Sequence, residues 1–201
     1  YCSDHGEALG EHGMWWKSSF YDGACRVPLI VSLPGQAESP VVRPENVSLV
    51  DVGITLSDLA GIEPAPDVAG QSLRPLLQGG TEWEDVAFAE YEVGTICRMV
   101  RCGPWKYNYY HGMKPELLNL NDDPCELENL SGRAEHREME ARLRARVLRD
   151  WDPDNVQDRV KRSKEETRAR AQQVKASRPP EPDPAWFSKE PPGDALEVMV
   201  P

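Results

Sequence analysis

Hydrophobic and polar positions in the first half of the chain predict a loop, a strand and a helix. Residues 3–26 are rich in Gly, His, acidic and aromatic residues without a sustained period of 2 or 3.6, which is typical of a functional loop. The apolar run at 27–33 is closed by Pro34 and Gly35, as expected for a buried strand of a central sheet. Apolar residues at helical spacing predict a helix over 47–60, before Gly61.

The pattern changes after residue 73. A short helical turn is predicted at 74–77, followed by Gly79 and Gly80. The β-rich runs at 86–91, 96–101, 105–110 and 117–120 then predict a small antiparallel sheet. Aromatic residues alternate in the third run; they are either a sugar-stacking platform or sheet packing, and packing is favoured.

The last part of the chain is predicted to be helical and then extended. Met139, Leu143 and Val147 recur every four residues within a predicted helix over 134–151. Residues 156–176 alternate charges and predict an exposed or partner-supported helix, and the Pro-rich residues 178–201 predict an extended tail. The chain therefore divides into 1–85, an α/β portion; 86–151, a small sheet-and-helix subdomain; and 152–201, a charged helix and tail.

Composition narrows the class of protein. A chain of 201 residues is long enough for one domain with a core and a small appended subdomain. Its net charge of -11 disfavours a nucleic-acid binder, because phosphate backbones require an excess of Lys and Arg. No run of about 18 apolar residues predicts a membrane span.

The cysteines indicate a cellular compartment, and the first residues indicate whether the sequence begins at a natural start. Five cysteines without CxxC or zinc spacing favour free thiols and a reducing, cytoplasmic compartment over a periplasmic or secreted one. Localisation nevertheless stays open, because the chain opens on Tyr1 without an initiator Met. We expect a sequence cut just after a strand, with any signal peptide upstream.

Four residues of the first loop are candidates for chemistry. Asp4 and His5 offer a carboxylate and an imidazole to one divalent cation if Gly6 allows the backbone to bend, although Asp-His-Gly alone is more often a turn. Lys17 stands among aromatic residues, where partial exclusion of water would strengthen its attraction for an anion. His12 lies in the same loop.

These residues carry a family resemblance. The segments 3–17, 19–21 and 26–31 resemble the second half of the sulfatase catalytic domain, in the alkaline phosphatase superfamily. The resemblance continues in order through 47–61, 70–77 and 116–130. It implies an α/β fold: the C-terminal portion of a three-layer α/β/α sulfatase domain, plus a small α+β subdomain with an antiparallel sheet.

The resemblance also implies roles for the loop residues. Asp4 would be a ligand of the active-site cation, Ca²⁺ in the first place and Mn²⁺ in the second, and His5 its neighbouring ligand. Many relatives have Asn there, and His occurs in the choline-sulfatase and phosphonate-monoesterase branches. Lys17 would contact the sulfate group as a catalytic and substrate-binding residue. His12 is a site-lining candidate without an equally firm role.

The family's nucleophile is not in this chain. Sulfatases use a formylglycine made from the Cys or Ser of a Cys-x-Pro-x-Arg type motif, and Cys25-Arg26-Val27-Pro28 has its Pro in the wrong place. We therefore expect half a catalytic site, inactive alone.

Three functions remain open. The first is a metal-dependent sulfuric ester hydrolase acting on a small-molecule or carbohydrate sulfate, and the second a phosphonate or phosphodiester hydrolase of the same superfamily. The third is a non-catalytic interaction module that kept the family's shape. A homo-oligomer held together through the C-terminal tail, which contains Trp186 and Phe187, is a further hypothesis.

Overall fold

The computed structural model of the chain describes residues 1–35 and 40–177. Short 3₁₀ turns lie at Glu11–Gly13 and Ala134–His136. The helices and strands are α1 (Asp22–Cys25), α2 (Leu49–Leu59), α3 (Arg74–Leu77), β1 (Val86–Val93), β2 (Thr95–Cys102), β3 (Trp105–Tyr110), β4 (Glu116–Asn119), α4 (Arg137–Leu148) and α5 (Pro153–Ser177). The predicted helices and the four-stranded sheet are confirmed, with ends shifted by a few residues.

The sheet is an antiparallel meander in the order β1-β2-β3-β4. Cys102 pairs with both Val86 of β1 and Trp105 of β3, so the β2–β3 connection is the two-residue turn Gly103-Pro104. Gly103 has a φ of 55°, a conformation that Gly adopts without a steric penalty. Local turn chemistry therefore sets the register of the central strands.

The two faces of the sheet pack against different elements. On one face, Phe20 from the first loop forms a cluster with Cys97 and Met99 of β2. On the other face, the guanidinium of Arg98 donates to the Val147 carbonyl of α4 at 2.9 Å. Alternation of side chains along the strands puts successive residues on opposite faces and so builds both contacts.

The aromatic residues of β3 pack the sheet, as favoured from the sequence. Tyr107 is fully buried, Tyr109 meets Trp151 edge-on at 5.7 Å between centroids, and Tyr110 lies 6.1 Å from Phe20. Such contacts are the ordinary use of aromatic side chains in a core. They leave these tyrosines no open platform for a sugar ring.

The buried side of α2 is polar. Its buried residues are Asp51 and Thr55, whereas the apolar Leu56 is 62% exposed. Asp51 Oδ1 accepts the Gln71 N–H at 2.9 Å, and Thr55 Oγ1 accepts the Leu73 N–H at 2.8 Å. The segment that covers α2 is thus held by polar contacts with its backbone, and apolar periodicity could not identify this side.

The strand expected at 27–35 is not formed. Leu29 makes only an isolated antiparallel bridge with Cys2, and Ile30 and Val31 are exposed. A strand needs continuous hydrogen-bonded neighbours, and residues 1–3 supply a single short one. The prediction of a buried strand is therefore wrong for the described structure.

Helix α5 and the residues after it form the last part of the chain. Contacts divide the chain into two units, residues 1–157 and 158–201, and the second begins within α5. The predicted helix is confirmed, and no residue of α5 is buried; whether a partner supports it stays a prediction. The predicted tail, with Trp186 and Phe187, lies outside the described residues, and the three-part division stays a prediction. Within 1–35 and 40–177, no helix has the length and apolar character needed to cross a membrane.

A buried charge cluster joins the first loop to the sheet. Lys106 of β3 is 1% exposed, and its ammonium lies 2.5 Å from carboxylate oxygens of both Asp22 and Glu126. Partial burial raises the pKa of Asp22, but Lys106, with Arg101 and Arg26, outweighs burial and holds that pKa below its ordinary value. Asp22 is therefore ionised at neutral pH.

The lowered pKa of Asp22 makes stability depend on acid pH. The carboxylate of an unfolded Asp titrates near about 3.9, so ionised Asp22 stabilises the fold above that pH and the stabilisation is lost as pH falls through the lower folded-state pKa. We expect Asp22→Asn to be less stable at neutral pH and to lose less stability between about pH 5 and pH 2. Urea unfolding at stepped pH measures both. An equal loss of unfolding free energy on acidification in wild type and Asp22→Asn would contradict this assignment.

Candidate functional site

The loop before α1 brings three of the four candidate residues together. Lys17 Nζ lies 2.6 Å from His5 Nε2, although twelve residues separate them in sequence. His5 Nε2 is in turn 3.5 Å from Asp4 Oδ2. A carboxylate, an imidazole and an ammonium therefore converge at the start of the chain.

Hydrogen bonds assign the tautomer of His5. Its Nδ1 lies 2.9 Å from the Gly6 carbonyl oxygen, which can only accept, so Nδ1 carries the hydrogen. Nε2 then has a free lone pair, which accepts from the Lys17 ammonium. A backbone carbonyl on the far nitrogen is the usual orienting partner of a metal-binding histidine. The ring is thus oriented with Nε2 as its ligand atom.

Asp4 is ionised, and among the residues that the structure describes one of its carboxylate oxygens accepts no backbone hydrogen bond. The His5 backbone N–H donates to Asp4 Oδ1 at 3.0 Å, and this hydrogen bond is the largest of the effects that lower the pKa of this carboxyl. Oδ2 faces His5 Nε2. Ser3 adds a hydrogen bond from its Oγ to the His5 carbonyl at 2.8 Å, which fixes the intervening backbone.

The pair Asp4 and His5 fits part of a divalent-cation site. One carboxylate oxygen and one imidazole nitrogen are 3.5 Å apart, so both can reach the same ion. Across 1–35 and 40–177, no three His, Cys, Asp or Glu side chains are grouped to hold a metal by themselves. Ca²⁺ takes about six to eight oxygen ligands, so most of its shell would come from elsewhere.

Close approach of the backbone to α1 holds this pair. The Gly6 N–H donates to the Ala24 carbonyl at 2.8 Å. A Cβ on Gly6 would overlap the carbonyl oxygen of Gly23, so the residue after His5 must be glycine for the loop to lie here. The role of Gly6 is thus close packing in addition to the expected backbone bend.

Lys17 is less enclosed than expected. Its side chain is exposed, and its neighbours Trp15 and Trp16 are 70% and 78% exposed. Only Phe20, among the aromatic residues around it, is fully buried, because it packs on the sheet. The expectation that these aromatic side chains exclude water from Lys17 is wrong for the described structure.

His12 does not join the other three residues. Its ring stacks on Tyr21 with centroids 3.7 Å apart and planes 7° from parallel. The Tyr21 hydroxyl donates to Glu116 Oε1 at 2.9 Å, and burial together with this carboxylate raises the pKa of Tyr21. The contacts of His12 therefore anchor the loop to β4, and its role as a catalytic residue stays a prediction.

Cys25 is a poor nucleophile. Burial raises the pKa of its thiol to about 11, so it is protonated at neutral pH. Its Sγ donates to the Ser19 carbonyl at 3.3 Å. This agrees with the expectation that Cys25 does not supply the attacking group.

Sequence reasoning missed Lys106 and Glu126. A signal was present, because Lys106 and Asn108 are polar residues on a face of β3 that otherwise belongs to the core. Buried Lys side chains are rare unless paired, so a charged partner had to be expected. Its identity required the fold.

Comparisons with known proteins identify the family of the chain. Residues 10–152 match the family described as N-sulphoglucosamine sulphohydrolase, C-terminal. A choline-sulfatase of Rhizobium meliloti is 40% identical over 136 residues, which are 65% of this chain and 26% of that protein. The chain thus spans about a quarter of the length of such curated relatives.

Solved structures that resemble this chain also include sulfatases. A 2-O GAG sulfatase superposes with a TM-score of 0.63 at 32% identity, covering 84% of this chain and 37% of that one. The phosphonate monoester hydrolase of Agrobacterium radiobacter superposes with a TM-score of 0.62 at 30% identity, covering 73% and 34%. These likenesses confirm the α/β sulfatase fold class. The chain therefore belongs to the sulfatase family, within which it matches the C-terminal region.

Proposed function

We propose that this chain supplies the metal-binding and sulfate-binding half of the active site of a sulfuric ester hydrolase. The observation that carries the proposal is the contact of Lys17 Nζ with His5 Nε2 at 2.6 Å, beside Asp4. Two metal-ligand side chains and a cation for a sulfate oxygen are thereby within reach of one small anion. Family membership supports the same reaction class.

Asp4 and His5 are the proposed ligands, with Ca²⁺ as the first choice and Mn²⁺ as the alternative. A bound divalent cation would supply positive charge to the sulfuryl oxygens. His5 needs no change of tautomer for this role, since the Gly6 carbonyl already holds the hydrogen on Nδ1. Asp4 needs no proton loss, since its pKa is lowered.

Lys17 is the proposed sulfate ligand. Its ammonium now donates to the lone pair that a metal ion would take, and two cations cannot share that lone pair. We therefore expect Lys17 to leave Nε2 when metal binds and to donate to a sulfuryl oxygen instead. Its exposed side chain has room for this movement. Attack on sulfur would come from a group outside this chain.

The substrate class is a small-molecule or carbohydrate sulfate ester, the two kinds that the names of the relatives above suggest. Hydrolysis of a phosphonate or phosphodiester is the second candidate. The observation that favours it is the likeness to the Agrobacterium radiobacter phosphonate monoester hydrolase. Both reactions place a tetrahedral anion against the same metal and lysine.

Turnover by the full-length protein tests the proposal. We expect hydrolysis of p-nitrophenyl sulfate that is abolished by EDTA and restored by Ca²⁺ or Mn²⁺, with a lower kcat/KM for phenyl phenylphosphonate. Preference for the phosphonate would favour the second candidate. Absence of turnover with every ester and metal would favour the non-catalytic module.

A pair of variants tests His5. We expect His5→Ala to weaken metal binding by about tenfold or more and His5→Asn to weaken it less, because the amide oxygen of Asn can still be a ligand. Titration of metal-free protein with Mn²⁺, followed by electron paramagnetic resonance, measures both. Equal affinities for wild type and His5→Ala would contradict the proposed ligand.

A further inference from the structure

Lys106 is a buried cation surrounded by acceptors from Phe20, Asp22 and the segment after β4. Besides Asp22 and Glu126, its ammonium donates to the Phe20 carbonyl at 3.0 Å. All three donors of a lysine ammonium are thereby used. The acceptors come from segments about 20 and 85 residues away in sequence, so only the tertiary structure assembles them.

Glu126 fixes the start of α1 through its second oxygen. Its Oε2 accepts the backbone N–H of Asp22 at 2.5 Å, and Arg101 donates to the Asp22 carboxylate at 3.2 Å. Glu126 itself has a φ of 58° and is buried, so the chain holds a non-glycine residue in an unfavourable conformation at this contact. The first turn of α1 is therefore held by the sheet and by the segment after β4.

Helix α1 passes this constraint to the candidate site. The Ala24 carbonyl receives the N–H of Gly6, the residue after His5. At the other end of the loop, the Ser19 N–H donates to the Lys17 carbonyl at 2.8 Å, and Ser19 directly precedes Phe20. Hydrogen bonds, together with the backbone of Ser19–Phe20 and of α1, thus connect Lys106 to the residues beside both His5 and Lys17.

We propose that Lys106, with Asp22 and Glu126, is a positioning cluster: it sets the placement of Asp4, His5 and Lys17 from the C-terminal sheet. Its catalytic consequence rests on the proposed function, whereas its effect on the loop does not. Removing Lys106 leaves the buried carboxylate of Glu126 without its cation, while the partly buried Asp22 keeps Arg101, so we expect α1 to shift as Glu126 becomes hydrated. A shift of about 1 Å is enough to impair a metal and anion site.

Hydrogen exchange in Lys106→Met is the direct test, and it needs no activity. We expect the Gly6 amide of the 201-residue chain to exchange at least about tenfold faster in the variant, while the Gly61 amide at the end of α2 is unchanged. Mn²⁺ affinity is expected to fall with it. Val147→Ala in α4 is the control, because it destabilises the core on the opposite face of the sheet. It should leave the ratio of Gly6 to Gly61 exchange unchanged.

Glu126→Gln keeps the test decisive if Lys106→Met does not fold. It preserves the shape of the side chain, removes one charge and is expected to give a smaller change in the same direction. Unchanged Gly6 exchange and Mn²⁺ affinity in a folded variant would overturn the positioning cluster.

Kinetics of the full-length protein separate the two proposals. Below the unfolding temperature of each variant, we expect kcat of Lys106→Met to fall by more than about tenfold while that of Val147→Ala stays near wild type. Wild-type protein without turnover, but with fast Gly6 exchange in Lys106→Met, would remove the proposed function and leave the cluster. Turnover at the wild-type rate in Lys106→Met would instead remove the positioning cluster and leave the proposed function.

Discussion

Lys17→Ala in the full-length protein is expected to lower kcat for a sulfate monoester by about 10²–10³-fold. The ammonium of Lys17 is the cation beside Asp4 and His5, and its loss removes a donor from the charge that develops on the sulfuryl group. Steady-state kinetics with p-nitrophenyl sulfate measure the loss. Since Lys17 is exposed, the unfolding temperature should change little.

Lys114→Ala is the matched control for Lys17. Lys114 is also exposed, lies before β4 and has no proposed part in the site. Its kcat should equal that of wild type. A similar fall in both variants would indicate a general charge effect, and kcat of Lys17→Ala within about threefold of wild type would contradict the proposed role.

Metal binding distinguishes Lys17 from the ligands. Its ammonium and a metal ion compete for His5 Nε2, so Lys17→Ala should bind Mn²⁺ at least as tightly as wild type while it loses turnover. Asp4→Asn should lose both. Weaker Mn²⁺ binding in Lys17→Ala would show that the lysine supports the metal site and does not compete with it.

Gly6→Ala is expected to lower kcat by about 100-fold. A Cβ at this position would overlap the Gly23 carbonyl oxygen. Since the overlapping atoms belong to the backbone of α1 and not to a flexible side chain, the loop must move away from α1. His5 then moves with it, and the hydrogen bond from Gly6 to Ala24 is broken. Kinetics measure the loss of turnover, and exchange of the amide of residue 6, the donor of this hydrogen bond, measures its loss.

Gly53→Ala is the matched control for Gly6. Gly53 lies inside α2 with open space where a Cβ would be, so Ala there should stabilise the helix by about 0.5–1 kcal/mol and leave kcat unchanged. Thermal unfolding measures the stability of both variants. Normal turnover in Gly6→Ala would show that the close approach to α1 does not position the site.

Secondary structure was largely predictable from sequence because local patterns determine it. The β-rich runs, the Gly103-Pro104 turn and the four-residue spacing that ends in Leu143 and Val147 each depend on neighbours within a few residues. The prediction of a strand at 27–35 was wrong because strand formation requires hydrogen bonds to a neighbouring strand, which is distant in sequence. The buried side of α2 could not be predicted from hydrophobic periodicity, because its buried residues, Asp51 and Thr55, are held by polar contacts.

The candidate site was predictable in part. Asp4, His5 and Lys17 were named from a motif, and the structure brings them together; their chemical roles stay predictions. His12 was named from the same motif, but its ring stacks on Tyr21 and its backbone has a φ of 53°. No spacing rule anticipates that conformation.

The sequence by itself determined the family, the helices, the four strands of the sheet, and three residues of the candidate site, since each follows from local composition or an ordered motif. Only the tertiary structure decided which groups meet. It placed the buried ammonium of Lys106 against Asp22 and Glu126, and it placed Gly6 against α1. The physical reason is that an unpaired buried charge and an overlapping Cβ are costly only where distant segments are packed together, and that packing is a property of the whole fold.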